Sequence, residues 1–438
     1  MSDARVVVTG MGWVTPLGHE LETVWRALLA GESGVGPIEH FDARSFPTTF
    51  AAQVKDYRWQ DHVADVSLHE GIGRNIGYAL GAAAAAWRHA GLGGGGGNRP
   101  DPERLGLYLG SGEGVIDFEH YTAANVRAWD AEDRRVDGAR WVQAAASLLS
   151  PTQEVVQEPN MALSHLALEF DARGPAYNCL TACAASTQAI GEATCILQRG
   201  DADVMMTGGA HTMIHPLGVT GFNRLTALSN RNDEPLTASR PFSADRDGFV
   251  MGEGAGILIL ETLDHATRRG ATPLAEIAGY GSTADAYRIT DIEPTGRGAA
   301  AAMRQAMSAA GVEPADVGYI SAHGTGTKEN DSIETRAAKA VFGDPADGGP
   351  TPPPMSSIKS MMGHLIAAAG AVELITTILA LRDQVLPPTM NLNSPAPECD
   401  LDYVANAARP VEGLDVAISN NFGFGGQNDS LVIKRWTE

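Results

Sequence analysis

Cys183 stands in Tyr177-Asn178-Cys179-Leu180-Thr181-Ala182-Cys183-Ala184-Ala185-Ser186, where an apolar extended segment gives way to an alanine-rich helical one. A cysteine at a helix N-terminus feels the positive end of the dipole and sits among unpaired N–H groups. Both favour the nucleophilic thiolate. Two histidines offer the matching acid–base chemistry. His323 follows the apolar run Val317–Ala322 and precedes Gly324-Thr325-Gly326-Thr327, a strand end opening onto a cleft with hydroxyls for a polar substrate arm. His364 lies between Gly363 and an alanine-rich run that reads as a helix start, where a neutral imidazole is expected. The ammonium of Lys359, five residues earlier, would lower its pKa further.

Phe422-Gly423-Phe424-Gly425-Gly426 lacks the lysine and spacing of a phosphate-binding loop. Its glycines would instead let Phe422 swing and expose a backbone N–H. That N–H and the N–H of Cys183 would make the two halves of an oxyanion hole. The remaining cysteines read differently. Cys179 in the strand and Cys195 in the helix interior are expected to be small buried hydrophobes, and Cys399 sits between Glu398 and Asp400. His19, His40, His120, His211 and His215 have no comparable context and are expected to be structural or on the surface.

These residues need a scaffold that brings distant loops together. Short aliphatic runs predict buried strands at Val6–Thr9, Leu105–Leu109, Val204–Thr207, Gly256–Leu260, Leu274–Tyr280, Val317–Ala322, Val416–Ser419 and Ser430–Lys434. Alanine-rich stretches predict helices at Ile76–Ala90, Ala184–Arg199, Ala299–Ala310, Ser332–Phe342 and Ala367–Arg382. Strands interleaved with helices imply an α/β fold. Gly93–Gly97 and Gly343–Pro354 read as surface loops, and Asp117–Gln157 as a polar insertion with some helix. A boundary is expected near Glu261–Pro273, dividing the chain into 1–262 and 263–438. The turn after Asn178–Cys183 is echoed by the turn after Asn420-Asn421, a hint of duplication.

Composition narrows the function classes. Hydrophobic residues make up 44% of the chain, enough for a sizeable core. No apolar run reaches the ~20 residues that span a bilayer, so membrane insertion is not expected. The N-terminus runs directly into a buried-strand pattern, so no secretory leader is expected. Four cysteines without metal-ligand spacing point to a reducing cytoplasm and no metal site. A net charge of −21 argues against nucleic-acid binding.

Taken in order, the motifs resemble the β-ketoacyl-[acyl carrier protein] synthases, condensing enzymes of the thiolase superfamily, and most closely their type II, long-chain-elongating branch. The resemblance starts at Val8-Thr9-Gly10-Met11-Gly12 and Thr15-Pro16-Leu17-Gly18. It continues through Arg173-Gly174-Pro175, Gly208-Gly209-Ala210, Ser239-Arg240-Pro241-Phe242 and Arg246-Asp247-Gly248-Phe249. It ends at Pro387-Pro388-Thr389 and Phe422–Gly426. It implies two similar halves in a five-layered α-β-α-β-α sandwich, a homodimer, no cofactor, and an acyl carrier protein as partner. Cys183 would carry the acyl group as a thioester. Malonyl-carrier protein would place its phosphopantetheine arm beside Thr325 and Thr327. His323 and His364 would stabilise the enolate as CO2 leaves, in a decarboxylating Claisen condensation of fatty acid or related lipid or polyketide biosynthesis. Lys359 would orient His364, Glu334 would support the network, and Phe422 would share the oxyanion hole. Phe424 and Glu113 would bind substrate.

Three departures stand out. Glu113 occupies the position where such enzymes carry an apolar acyl-pocket residue; the expectation is a shortened or polar pocket, or a carboxylate turned away into an ion pair. The docking segment Ser67–Arg74 offers mainly Arg74 to an acidic carrier protein, leaving Arg127 or Arg224 to contribute. Gln427 replaces the usual Thr or His. A coenzyme-A-dependent thiolase is disfavoured by the paired histidines, a non-catalytic partner subunit by Cys183, and a lipid-binding scaffold by the intact set of Cys183, His323 and His364. The alternative kept is a pathway-specific ketosynthase subunit of a heteromeric polyketide-type system.

Overall fold

The computed structural model describes residues 4–93, 98–114 and 116–437; most of the expected Gly93–Gly97 loop lies outside them. The first half contributes β1 (Val6–Val14), α1 (Arg74–His89), β2 (Leu105–Ser111), α2 (Met161–Phe170), β3 (Ala176–Cys179), α3 (Ala185–Arg199), β4 (Val204–His211) and β5 (Gly254–Thr262). The second contributes β6 (Ala275–Ala284), α4 (Arg297–Ala310), β7 (Tyr319–Ser321), α5 (Lys328–Phe342), β8 (Met355–Ser356), α6 (Ala369–Asp383), β9 (Val416–Gly423) and β10 (Gln427–Arg435). Each strand and helix read from the sequence is present, with shifted ends. Val317–Ala322 shortens to β7. The polar insertion holds helices at Phe118–Ala128, Gly138–Leu148 and Pro151–Val156.

The strands run in the order β8-β7-β9-β10-β6-β1-β5-β4-β2-β3. Numbered within its own half, each set of five has the order 3-2-4-5-1. The sets meet at a short antiparallel seam, Val7 with Glu276 and Val8 with Ala275. Helices α3 and α6 pack on strands of both sets, α1 on the first alone and α4 on the second, which gives five layers. The sequence dictates this layering. β5 reads Gly-Ala-Gly-Ile-Leu-Ile-Leu-Glu-Thr, a near-continuous apolar run that requires cover on both faces. α6 is buried from Ala369 to Leu381, as a helix between two sheets must be. A central cluster that includes Trp13, Ile190, Leu374 and Leu431 joins the halves, with one outer cluster on each side.

β2, β3 and β4 are parallel, as are β7, β8 and β9. Their C-terminal ends carry the chemistry: Cys183 follows β3, His323 follows β7, Lys359 and His364 follow β8, and Phe424 follows β9. The duplication hint needs correction. The Phe422–Gly426 turn follows the fourth strand of its half, whose counterpart is β4. The counterpart of the Cys183 turn is the segment from Gly363 into α6.

Candidate active site

Cys183 sits in a single 3-10 turn, Ala182–Ala184, between β3 and α3. Ala182 holds φ 48°, a left-handed conformation that costs a non-glycine residue roughly 1–2 kcal/mol, and it presents the cysteine on a tight elbow. Cys183 is 4% exposed. The expectation of a thiolate is not met in the resting protein. Burial pushes the thiol up to about 11, although the Lys359 ammonium and the Phe424 N–H both pull it down. Desolvation outweighs the helix end.

Both histidines converge on the thiol. Cys183 Sγ and the nearest ring nitrogens of His323 and His364 all lie within 4.8 Å of one another. The rings meet edge to face, centroids 5.3 Å apart at 82°. The Ile366 N–H donates to Nδ1 of His364 at 3.2 Å. Nδ1 of His323 faces two donors, Lys359 Nζ and Asn421 Nδ2, each at 3.4 Å. These partners assign Nδ1 as the acceptor in both rings and leave each Nε2 to carry the hydrogen. Nε2 of His364 has no protein partner. Burial and the Lys359 ammonium hold both imidazoles well below their usual range, so both are neutral N–H donors aimed at one spot.

Two expectations about this part change. His364 is not the first residue of a helix: a short helix, Lys359–Met362, ends before it, and a 3-10 turn, Ile366–Ala368, separates it from α6. Its neutrality comes from burial and neighbouring charge. Lys359 bonds Glu373 and His323, not His364. Glu373, 2% exposed in α6, also accepts from Asn421 at 2.7 Å, and Asn421 in turn accepts from Thr187. Burial pushes the Glu373 carboxyl up while the Lys359 ammonium opposes it. The sequence reading missed this Lys359–Glu373–Asn421 support for His323. The signal was available: one carboxylate in a helix otherwise uncharged from Ala369 to Leu381.

Glu334 takes the N–H groups of His323 at 2.8 Å and Gly324 at 2.7 Å, fixing the turn after β7, and burial pushes it up to about 7. Thr325 and Thr327 lie with hydroxyls 3.0 Å apart on the wall of a cavity of about 600 Å³ that reaches Cys183, His323, His364 and Phe424. The oxyanion assignment shifts by two residues. Phe422 is 4% exposed, with its ring against His323 at 5.8 Å, so it is packed inside and not open to the mouth. The N–H that reaches Cys183 belongs to Phe424, which is 37% exposed at the mouth. Gly423 permits this approach, because a Cβ there would lie 2.7 Å from the Thr181 carbonyl. Glu113 is exposed and is not part of the cavity wall; it lies within electrostatic reach of His215. Arg74 turns inward, donating to the Ile214 carbonyl at 3.2 Å.

Comparison with known proteins gives consistent results. Residues 3–266 match the beta-ketoacyl synthase N-terminal domain and residues 274–393 the C-terminal domain. The chain is 40% identical over 437 residues to a 3-oxoacyl-[acyl-carrier-protein] synthase 2 of Coxiella burnetii, covering 99% of each. A crystal structure of a beta-ketoacyl synthase from Burkholderia phymatum superposes with a TM-score of 0.87 at 34% identity, covering 99% of this chain and 100% of that one. A type II polyketide acyl-carrier protein in complex with its ketosynthase, bound to the hexaketide, gives 0.84 at 32% identity, with 99% and 100% covered.

Proposed function

The chain belongs to the beta-ketoacyl synthase family, and on that premise we propose that it condenses an acyl group held on Cys183 with malonyl-[acyl carrier protein]. Cys183 sulfur attacks the carbonyl of an acyl thioester. The carrier's thiolate leaves and takes up the cysteine proton. Malonyl-carrier protein then enters through the cavity, its arm beside Thr325 and Thr327. Loss of CO2 puts an electron pair on the thioester enolate, whose oxygen is held by the Nε2–H groups of His323 and His364. The enolate carbon attacks the Cys183 thioester, and the N–H groups of Cys183 and Phe424 hold the oxyanion. Collapse expels the cysteine sulfur, which takes up a proton from water, and frees the β-ketoacyl thioester. The observation that carries this reading is two neutral imidazole donors and one cysteine within 4.8 Å at the end of a cavity.

The partner is an acidic carrier protein. Arg224 is exposed and adjoins Leu225 and Thr226 of the cavity wall, so it serves as a docking cation. The active form is a homodimer: β3 ends the sheet with an unpaired edge, flanked by half-exposed Tyr177 and Leu180. Among the described residues no helix is long and apolar enough to cross a membrane, and the enzyme works in the cytoplasm. A pathway-specific ketosynthase of a polyketide-type system is the second reading, favoured by the likeness to such a ketosynthase. The identity of 32% there, against 40% to the fatty-acid-type relative, places it second.

Intact-protein mass spectrometry with acyl-carrier proteins of graded length tests the proposal. The expected result is one acyl adduct, absent in Cys183→Ala, that leaves as β-ketoacyl product when malonyl-carrier protein is added. No adduct with any carrier rejects it.

A further inference from the structure

His211 ends β4 beside the ends of β2 and β3, so it stands at the strand termini that also launch the Cys183 elbow. It is 3% exposed, and neither ring nitrogen has a protein partner. Nothing in its neighbouring residues singles it out. In the fold, two orphaned nitrogens on one buried ring are costly unless something binds them. The ring fills the space beside Gly112: a Cβ on that glycine would lie 2.5 Å from it. It also lies close enough to His364 to lower that imidazole's pKa.

A second orphan faces the same turn. Asn75 is 2% exposed, and its Oδ1 has no donor; it lies 3.5 Å from where a Cβ of Gly114 would be. His211 and Asn75 thus bracket the turn Gly112–Gly114 after β2. Behind them stand Arg74, His215 and Glu113, all within electrostatic reach of one another through His215. Hydrocarbon against this wall would leave three buried polar atoms unpaired. A neutral imidazole offers one donor and one acceptor, which is what a hydroxyl or a keto oxygen with a bridging water can pair.

We propose that His211 and Asn75 form a polar subsite for the acyl group on Cys183, so that the enzyme takes acyl chains bearing a hydroxyl or keto oxygen in preference to saturated chains. This rests on the acyl-Cys183 reading above and names its substrate class. Glu113, exposed and off the cavity wall, reaches this cluster only through His215.

The test compares single-turnover acylation of Cys183 by saturated, 3-hydroxy and 3-oxo acyl-carrier proteins of equal length. Wild type is expected to favour an oxygenated chain at least about tenfold, the scale of one satisfied buried hydrogen bond. His211→Leu is expected to erase or reverse that ratio, and His211→Gln, which keeps a donor and an acceptor, to retain most of it. Thermal melts of both variants identify any loss due to misfolding, and Asn75→Leu gives an independent variant on the other wall, expected to lower the ratio. Equal rates for saturated and oxygenated chains would mean that ordered waters alone fill the site, and would overturn the proposal. So would a ratio unchanged in folded His211→Leu. Absence of acylation by every carrier would instead reject the function on which it rests.

Discussion

The elbow that carries Cys183 has a twin without a nucleophile. In the first half, Ala182 at φ 48° opens a 3-10 turn over Ala182–Ala184 that leads into the fifteen residues of α3. In the second half, Ile366 at φ 49° opens a 3-10 turn over Ile366–Ala368 that leads into the fifteen residues of α6. The helices pack together, with the Ala371 N–H donating to Ser186 Oγ at 3.0 Å. Position by position, Cys183 corresponds to Ala367, and Ala189 in α3 corresponds to Glu373 in α6. One copy has cysteine at the elbow and alanine in the helix; the other has alanine at the elbow and a buried carboxylate in the helix. His323, Lys359, His364, Glu373 and Asn421 all come from the second half. The backbone device is shared, while the nucleophile and the groups that stabilise charge are divided between the copies.

The harshest way to break this comparison is to give α6 the residue that α3 carries. Glu373→Ala leaves the Lys359 ammonium, 2% exposed, without its carboxylate. Removing one partner of a buried pair costs about 3–5 kcal/mol. Urea unfolding should register that loss, and the double change Lys359→Met with Glu373→Met should recover most of it. A loss below about 1 kcal/mol in the single variant would mean that α6 tolerates alanine as α3 does, and the charge would not be structural.

The next effect is on rate. If the second half stabilises charge while the first supplies the nucleophile, His323→Asn and His364→Asn should each slow condensation by about 10²–10³-fold, the usual cost of losing one oxyanion donor. Acylation of Cys183 should fall far less, because the N–H groups of Cys183 and Phe424 serve that step. Single-turnover mass spectrometry separates the two. An equal fall in both steps would erase the division of labour.

Much of this division was legible in the sequence, for identifiable reasons. Cys183 and His323 follow apolar runs and are flanked by small residues, and such strand ends are where an α/β sheet exposes side chains. β5 and α6 were legible as well, because residues buried on all sides leave long apolar runs. What escaped depends on contacts between distant segments. Asn421 looks like any strand amide until Glu373 and His323 meet it. His211 looked structural because the lack of a partner can be seen only when every neighbour is in place. Phe422 and Phe424 differ by one glycine in sequence. The strand ends at Gly423, so Phe422 is packed in the sheet and Phe424 is turned to the mouth. The thiol expectation failed on magnitude: the helix end was read correctly, but desolvation was not weighed against it.

The smallest effect concerns the shared device itself. Ala182 adopts a conformation that glycine reaches freely, so Ala182→Gly removes a Cβ clash of roughly 1–2 kcal/mol and adds about 0.5–1 kcal/mol of unfolded-state entropy. The net expectation is a gain of up to about 1 kcal/mol in urea unfolding. Cys183 should be held less firmly, and acylation should slow a few-fold. Ile366→Gly relieves the same strain but removes a side chain only 7% exposed, so it should destabilise the protein by a few kcal/mol, as large-to-small core changes do, giving about the opposite sign at an equivalent position. If Ala182→Gly instead destabilised the protein as Ile366→Gly does, the elbow would be held by packing in both copies. Ala182 would then be doing nothing for the nucleophile that Ile366 does not do for an alanine.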